Sequence, residues 1–282
     1  MKIIISPAKK MNRNTDFFPA EALPEFIDQT EVLFKHIRQL DFAQCRELWQ
    51  CNENLARQNF SRFQTMELRN IGALTPALLA YEGIQYQYLS PATLETGDWE
   101  YMKSHLRILS GFYGVLRPFD GVVPYRLEMQ ARLEVKGDGG QKDSKNLYGF
   151  WGDALYRFLA DEERLETAGG PGRSKGSGGQ NPVIVNLASK EYSKCIEPYL
   201  EDGARFITCV FGEKKDGKIR QKATQAKMAR GEMVRFMAQN RIEDPQQIKN
   251  FDRLGFVYSE ENSADELEEK GRAIYTFLTE GD

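Results

Sequence analysis

The strongest candidate for phosphate chemistry is a basic stretch in the last quarter of the chain. Lys227 and Arg230 stand three residues apart in a predicted helix, so their side chains share one helix face. Lys222 lies just upstream, and only Glu232 interrupts the positive charge of this helix. Since an ordinary surface helix carries charges of both signs, the pattern favours a polyanionic partner. A solvated basic face is the alternative interpretation.

A second candidate follows the first predicted strand. The chain there reads Ser6-Pro7-Ala8-Lys9-Lys10, a strand that ends in a proline turn with two lysines. Backbone amides at strand ends and flexible ammonium groups both suit a phosphate ligand. The alternative is a solvated loop with surface lysines.

A third candidate is the segment from His105 to Asp120, which carries Arg107 and Arg117. A predicted helix, a turn bounded by Gly111 and Gly114, and a second apolar stretch resemble a helix-hairpin-helix. In that motif the hairpin amides bind backbone phosphate, and glycine allows close approach. The alternative is that glycine and proline shape a buried corner.

Three further segments could serve the same chemistry. Arg126 stands two residues before Glu128, which permits either an ion pair or a cation poised for phosphate. Residues 186–194 join a strand end to a helix start, where anion binding and catalysis often occur, and they include Lys194. The aromatic residues of 147–153 favour core packing over base stacking, because they continue into an amphipathic helix.

Charge is segregated along the chain although its total is small, with a formal net charge of −3. From Glu213 to Arg235 eight basic residues face three acids, and from Ser259 to Asp282 eight acids face Lys270 and Arg272. A chain that separates charge in this way can hold a positive cleft despite a negative total.

An enzyme acting on a nucleotide or a damaged base is the competing hypothesis. Its acid and base would come from Asp120, Glu128, Asp153 and Glu191, with His105 as a helper. The plainer interpretation pairs these carboxylates with nearby arginines and helix N-termini. A role in handling iron ranks last, because no His/carboxylate triad spacing is present.

Composition restricts the remaining classes. The 282 residues are 41% hydrophobic and 28% charged, which fits a globular protein rather than a disordered or membrane protein. The first residues lack the apolar stretch of a signal peptide, so we expect a cytoplasmic protein. The four cysteines show no C-x-x-C spacing and are expected to be reduced thiols; a peroxide-reactive thiol would require an exposed, cationic setting.

The predicted elements alternate between helix and strand and indicate a mixed α/β (α+β) fold in a single compact domain over 1–282. Strands are predicted at 2–6, 183–188 and 204–211, with a hairpin turn at Asp216-Gly217. Helices are predicted from Pro24 to Leu40, after an Asp41 cap, from Asp98 to Leu109, over 147–165, and over 223–240. The glycine-rich stretch at about 167–182 is expected to be a flexible loop.

Taken together, the segments beginning at Ile5, His105, Leu147, Asn186 and Lys227 resemble the signature blocks of the YaaA family in their order and spacing. The match spreads over nearly the whole chain. It departs at Lys10, where threonine is common, at Met228, where a second lysine is common, and at the glycine-rich insertion.

This resemblance implies a bacterial protein of the peroxide (oxidative) stress response, with a family-specific fold and a helix-hairpin-helix-like element. It also implies DNA binding in a basic cleft that protects DNA or helps its repair. We therefore expect double-stranded or structured DNA as the partner, with no cofactor, no metal, no membrane and no protein partner. The expected phosphate contacts are Lys9, Lys10, Arg107, Arg117, Arg126, Lys194, Lys222, Lys227 and Arg230.

Overall fold

A computed structural model gives the architecture of the chain and describes residues 1–14, 18–136, 143–167, 181–215 and 218–280. Most of the predicted glycine-rich loop and the predicted Asp216-Gly217 turn lie outside these residues. The strands are β1 Lys2–Ile5, β2 Lys10–Met11, β3 Thr75–Pro76, β4 Tyr81–Glu82, β5 Leu106–Ser110, β6 Gly114–Leu116, β7 Gly121–Val122, β8 Val183–Leu187, β9 Arg205–Lys215, β10 Lys218–Arg220, β11 Val257–Tyr258, β12 Ala264–Glu266 and β13 Arg272–Glu280.

The helices vary from single turns to seventeen residues. They are α1 Ile27–Gln39, α2 Phe42–Trp49, α3 Glu53–Thr65, α4 Ala77–Ala80, α5 Ile84–Leu89, α6 Thr96–His105, α7 Leu147–Trp151, α8 Ala154–Thr167, α9 Lys190–Ser193, α10 Ala223–Gln239 and α11 Leu267–Lys270.

One large sheet organises the domain, and its central strands run parallel. The order along the sheet is β11-β13-β9-β8-β1-β5-β6, with β10 beside β9 and β12 beside β13. Strands β5, β1, β8, β9 and β13 are parallel to their neighbours in this series, and the outer pairings are antiparallel. The predicted mixed α/β class in a single compact domain is confirmed.

Strand β1 lies at the centre because its sequence can be buried on both sides. Ile3, Ile4 and Ile5 are fully buried, as expected for a parallel strand covered on both faces. The Lys2 ammonium is also buried and donates to the carbonyl oxygen of Ser104 at 2.7 Å. Because β1 is buried on both faces, its position in the sheet is fixed, and so is the position of Ser6, where the chain leaves the strand.

Two helix starts test the predicted caps. Asp41 forms a complete capping box, because its carboxylate accepts from the Gln44 amide at 2.8 Å and the Gln44 side chain accepts from the Asp41 amide at 2.9 Å. The predicted helix start at Asp98 is wrong. Helix α6 begins two residues earlier, and the Asp98 carboxylate reaches back to the Glu95 amide at 3.2 Å.

The predicted helix-hairpin-helix at 105–120 is not confirmed. Helix α6 ends at His105, and β5 and β6 then form a β-hairpin inside the sheet. The Ser110 hydroxyl accepts from the amides of Phe112 and Tyr113 at 3.1 and 2.9 Å, so the turn satisfies its own donors. This segment is therefore the buried corner that its glycines also permitted.

The predicted helix over 147–165 is interrupted. Gly152 has a φ of 50°, which separates α7 from α8. Leu147 and Trp151 are buried, and the Trp151 indole donates to the Gly111 carbonyl oxygen at 3.1 Å. The aromatic motif thus belongs to the core, as its amphipathic pattern predicts.

Candidate functional site: a basic cleft at the end of the central strands

The candidate site lies at the point in the sheet where the strand order reverses. In chain order the parallel strands are β1, β5, β8, β9 and β13, and β5 lies on one side of β1 while the others lie on the opposite side. This is the 2-1-3-4-5 order of doubly wound sheets, which bind ligands beyond the carboxyl ends of the strands at the reversal point. Here that point lies between β1 and β8.

The loops that leave these two strands touch each other. The Ser6 hydroxyl accepts from the Ser189 amide at 2.8 Å and lies 3.2 Å from the Ser189 hydroxyl. The Tyr86 hydroxyl donates to the Ser6 carbonyl oxygen at 3.0 Å. A cavity of about 440 Å³ opens over this junction, within the size range of small-molecule sites.

Five of the predicted phosphate contacts line this cavity, although they come from three distant parts of the chain: Lys9, Lys10, Arg126, Lys227 and Arg230. A second groove of about 320 Å³ shares Lys9, Arg126 and Glu128 with it and adds Arg132. We call the two together the basic cleft; its cations are these five residues and Arg132. Its carboxylates, among the described residues, are Glu82, Glu128 and Glu191.

Half of the cations in the cleft are engaged by these carboxylates. Glu128 accepts from the Lys9 ammonium at 2.7 Å and from the Arg126 guanidinium at 3.1 Å. Lys10 pairs with Glu82 in the same way. Arg126 also donates to the Trp49 carbonyl oxygen at 3.4 Å. These contacts hold the side chains over the cleft before any ligand binds.

Helix α10 contributes two of the three cleft cations that no carboxylate neutralises within the described residues; the third is Arg132. Within the described parts of the chain, neither Lys227 nor Arg230 forms an ion pair. The Arg230 Nε is sealed from solvent without a hydrogen-bond partner, and burial lowers the pKa of its guanidinium. A half-buried cation without an ion-pair partner is costly, so its presence in a cavity favours an anionic ligand.

Gly231 explains how α10 comes so close to the cavity. A Cβ atom at this position would lie 2.1 Å from the Gln85 carbonyl oxygen and 2.9 Å from the Leu89 amide nitrogen. Only glycine therefore lets α10 pack directly on α5. This close packing brings Arg230, the neighbour of Gly231, to the cavity that Gln85 and Tyr86 also line.

Glu191 differs from the other carboxylates of the cleft. Burial raises its pKa above the ordinary value, the Gln130 amide opposes the rise, and the nearby Glu128 charge adds to it. The Glu191 carboxylate accepts from the Gln130 amide at 3.2 Å. The cleft thus holds one carboxylate that bridges two cations and one whose pKa is raised by burial.

The four other predicted phosphate contacts lie outside the cleft. Arg107 is buried and pairs with Glu162 at 2.6 Å, and Arg117 pairs with the same carboxylate at 2.9 Å. Burial alone would raise the pKa of Glu162, but the hydrogen bond from Arg107 holds it below its usual value. Lys222 pairs with Glu213 at 2.7 Å, and Lys194 is exposed at the end of α9.

The four candidate acid-base residues also separate. Asp120 is buried and accepts from the Arg117 amide at 2.8 Å, and burial raises its pKa to about 7. Asp153, immediately before α8, forms an ion pair with Arg157 of that helix at 2.6 Å. The predicted helper His105 contacts the Met1 carbonyl oxygen and Glu243 instead. Glu128 and Glu191 alone of the four line the cleft.

One feature of the cleft was missed by sequence reasoning. Helices α2 and α3 are joined by only three residues, and the connection begins with Gln50 in the left-handed conformation, at a φ of 42°. This αα-hairpin places Trp49 and Gln50 in the groove beside Arg126 and Arg132. The Asn52 cap, which accepts from the Leu55 amide at 3.0 Å, is the sequence signal that could have revealed the second helix.

The thiols do not contribute to the cleft. Cys45, Cys195 and Cys209 are buried, and burial raises their pKa to about 11, 12 and 12. A buried thiol with a raised pKa is a poor nucleophile toward peroxide. All four cysteines are free, as predicted, and Cys51 alone is partly exposed.

Fold and site together define an α/β protein with a basic cleft at the switch point of its sheet. The chain matches the family model described as peroxide stress protein YaaA over residues 1–262. It belongs to this family.

Relatives named UPF0246 protein occur in several bacteria. The chain is 49% identical to one from Agathobacter rectalis over 265 residues, 94% of this chain and 96% of the relative. It is 48% identical to one from Lachnoclostridium phytofermentans over 260 residues, 92% of each chain, and 46% identical to one from Pediococcus pentosaceus over 268 residues, 95% and 96%. Within the described residues, no helix combines the length and apolar character needed to cross a bilayer.

Proposed function

We propose that this member of the peroxide stress family binds DNA through the sugar-phosphate backbone in the basic cleft, and thereby protects DNA or helps its repair. The observation that carries the proposal is the convergence of six cations, from three separate segments of the chain, on one cleft with three carboxylates among its described residues. Lysine and arginine contacts of this kind neutralise phosphates and release counterions, which supplies most of non-specific DNA affinity.

The exposed cations form the outer rim of the cleft. The Lys9 and Lys10 side chains are 66% and 79% exposed, and Arg132 and Lys227 are exposed as well. These four can reach the surface phosphates of a duplex without any change in backbone. The αα-hairpin at 50–52 borders the same groove. In this proposal it has the role beside the DNA that sequence reasoning assigned to the hairpin at 105–120. Phosphate contacts position DNA but do not read bases, so binding is expected to tolerate many sequences.

Gel-shift measurements in rising salt test the proposal. The affinity for a duplex should fall steeply, with a slope of ~0.9 per phosphate contact in a plot of log affinity against log salt. Lys227→Gln should weaken binding to all sequences alike and reduce that slope by about 1. Lys194→Gln is the matched control, because Lys194 is also exposed and outside any ion pair of the described residues, but lies outside the cleft. A salt-independent shift, or equal effects of both substitutions, would contradict the proposal.

A second candidate function is catalysis on a nucleotide or a damaged base. Its support is the presence of Glu128 and Glu191 in one cavity beside the unpaired cations. Two carboxylates in different environments can divide the roles of base and acid: Glu128 bridges Lys9 and Arg126, whereas burial raises the pKa of Glu191. Oligonucleotides with oxidised bases provide the assay. Release or conversion of the base by the wild type, but not by Glu191→Gln, is the expected result, and no product with either protein counts against it.

A further inference from the structure

The rim and the floor of the basic cleft differ in depth. Lys9, Lys10 and Lys227 are exposed, whereas Arg230 is half-buried and its Nε is sealed from solvent. A duplex presents its phosphates on a convex outer surface, so those phosphates meet the rim cations first. The half-buried guanidinium of Arg230 lines the 440 Å³ cavity and therefore suits a different ligand, one that enters this cavity.

The chemistry around Arg230 defines that ligand. A guanidinium offers a fork of donors that matches a phosphate with two free oxygens. The Ser6 and Ser189 hydroxyls at the strand ends lie in the same wall. The Lys227 ammonium, one helical turn before Arg230, adds a mobile positive charge at the mouth. A terminal phosphate carries up to two negative charges, which suits two cations without a carboxylate partner.

The rest of the cavity wall suits a nucleoside. Ile84, Leu127 and the rings of Tyr86 and Tyr192 supply apolar surface, and Tyr86 and Tyr192 are only 4% and 6% exposed. Glu191, with its raised pKa, and the Gln85 side chain add hydrogen-bonding groups; the Gln85 Nε2 is buried without a partner. Such a wall, mainly apolar with a few placed polar groups, is typical of small-molecule sites.

We infer that the cavity at the β1–β8 switch point is a specific site for a nucleoside phosphomonoester, with its phosphate on Arg230 and its base against the tyrosine wall. The ligand is either a free nucleoside monophosphate or the 5′-phosphorylated end of a strand, which share this chemistry. The inference goes beyond the proposed function, because a free nucleotide can bind in the cavity without a duplex, and a duplex can bind to the rim cations without a nucleotide in the cavity.

Calorimetry with deoxyadenosine 5′-monophosphate, deoxyadenosine and inorganic phosphate tests the site. The monophosphate should bind more tightly than either fragment, and Arg230→Leu should weaken it by about 10- to 100-fold, the range for a charged hydrogen-bonding group. Arg235→Leu is the matched control, since Arg235 lies on the same helix but donates to Thr93 at 2.8 Å outside the cavity.

A thermal melt separates a binding role from a structural one. Because the Arg230 Nε is sealed from solvent without a partner and the side chain forms no ion pair within the described residues, Arg230→Leu should keep or raise the midpoint of unfolding while nucleotide binding is lost. Arg230→Lys, which keeps the charge, should retain part of the affinity. A clear fall in the midpoint with unchanged nucleotide affinity would overturn the inference, as would absence of monophosphate binding to the wild type.

Gel shifts with an overhanging strand then identify the source of the ligand. If a 5′-phosphorylated overhang binds more tightly than its 5′-hydroxyl twin, and Arg230→Leu removes the difference, the cavity receives strand ends. If the two overhangs bind alike while the free monophosphate still binds in calorimetry, the cavity receives free nucleotides. In both cases the duplex affinity of Arg230→Leu should fall less than that of Lys227→Gln. Loss of duplex binding alone would therefore count against the proposed function and not against this site.

Discussion

Glu128 competes with phosphate for two cations of the cleft, and its neutralisation should tighten DNA binding. Its carboxylate lies 2.7 Å from the Lys9 ammonium and 3.1 Å from the Arg126 guanidinium. These are the distances at which a phosphate oxygen would bind the same donors. In the free protein Glu128 therefore occupies positions that a DNA phosphate would take.

The size of the effect follows from this geometry. A phosphate on Lys9 and Arg126 would lie about 5 Å from the Glu128 carboxylate, where two like charges repel by ~0.8 kcal/mol in water and ~3 kcal/mol at an effective dielectric constant of 20. The Glu128 side chain is 18% exposed, which places the true value between these limits. Glu128→Gln should thus tighten duplex binding by ~1–2 kcal/mol, about 5- to 30-fold.

Fluorescence anisotropy with a labelled duplex at several salt concentrations measures this change. Glu268→Gln is the matched control, because it alters the net charge equally but removes an exposed partner of Arg205. The gain should be largest at low salt, and the salt slope should steepen as Lys9 and Arg126 become available. Unchanged or weaker binding by Glu128→Gln, with a normal melting curve, would refute the competition.

Two further predictions concern groups outside the cleft. Arg107→Met removes a buried guanidinium that pairs with Glu162 and donates to the carbonyl oxygens of Lys103 and Leu106. The free energy of unfolding in urea should therefore fall by ~3 kcal/mol, while DNA affinity stays unchanged. A matching loss of DNA affinity would show that Arg107 contributes to DNA binding. Burial raises the Asp120 pKa to about 7, so between pH 4 and 7 the folded protein holds a proton that the unfolded chain releases. Its ionisation should therefore lower stability as pH rises through this window, by on the order of 2–4 kcal/mol. Asp120→Asn should flatten that part of the stability profile measured by urea unfolding, and an unaltered profile would show that Asp120 is not its source.

The difference between predicted and observed site residues has a consistent physical cause. Sequence spacing identified Lys227 and Arg230 correctly as neighbours, because three residues along a helix always share a face. It could not decide between Arg107 and Arg126, since each stands near an apolar stretch. Arg107 lies in β5 and is buried in the sheet. Arg126 lies after β7, outside the sheet, and lines the cleft.

The hairpin predicted at 105–120 illustrates the same limit. Its glycines fit a phosphate-binding turn by type, and Gly111 is indeed needed for a close approach. The approaching group is the Leu127 carbonyl oxygen, 2.7 Å from where a Cβ would lie, and not a ligand. A glycine in the sequence indicates that another group approaches the backbone closely, but tertiary packing decides whether that group is a ligand or part of the protein.

The sequence by itself determined the alternation of helix and strand, the buried first strand, the Asp41 cap and the family of the protein. These depend on local periodicity, side-chain hydrogen bonds within a few residues, and motif order. Only the tertiary structure decided that β1 lies between β5 and β8, and that segments as distant as Lys9 and Arg230 face one cavity. Strand order and charge convergence arise from contacts between residues far apart in the chain, which no local pattern encodes.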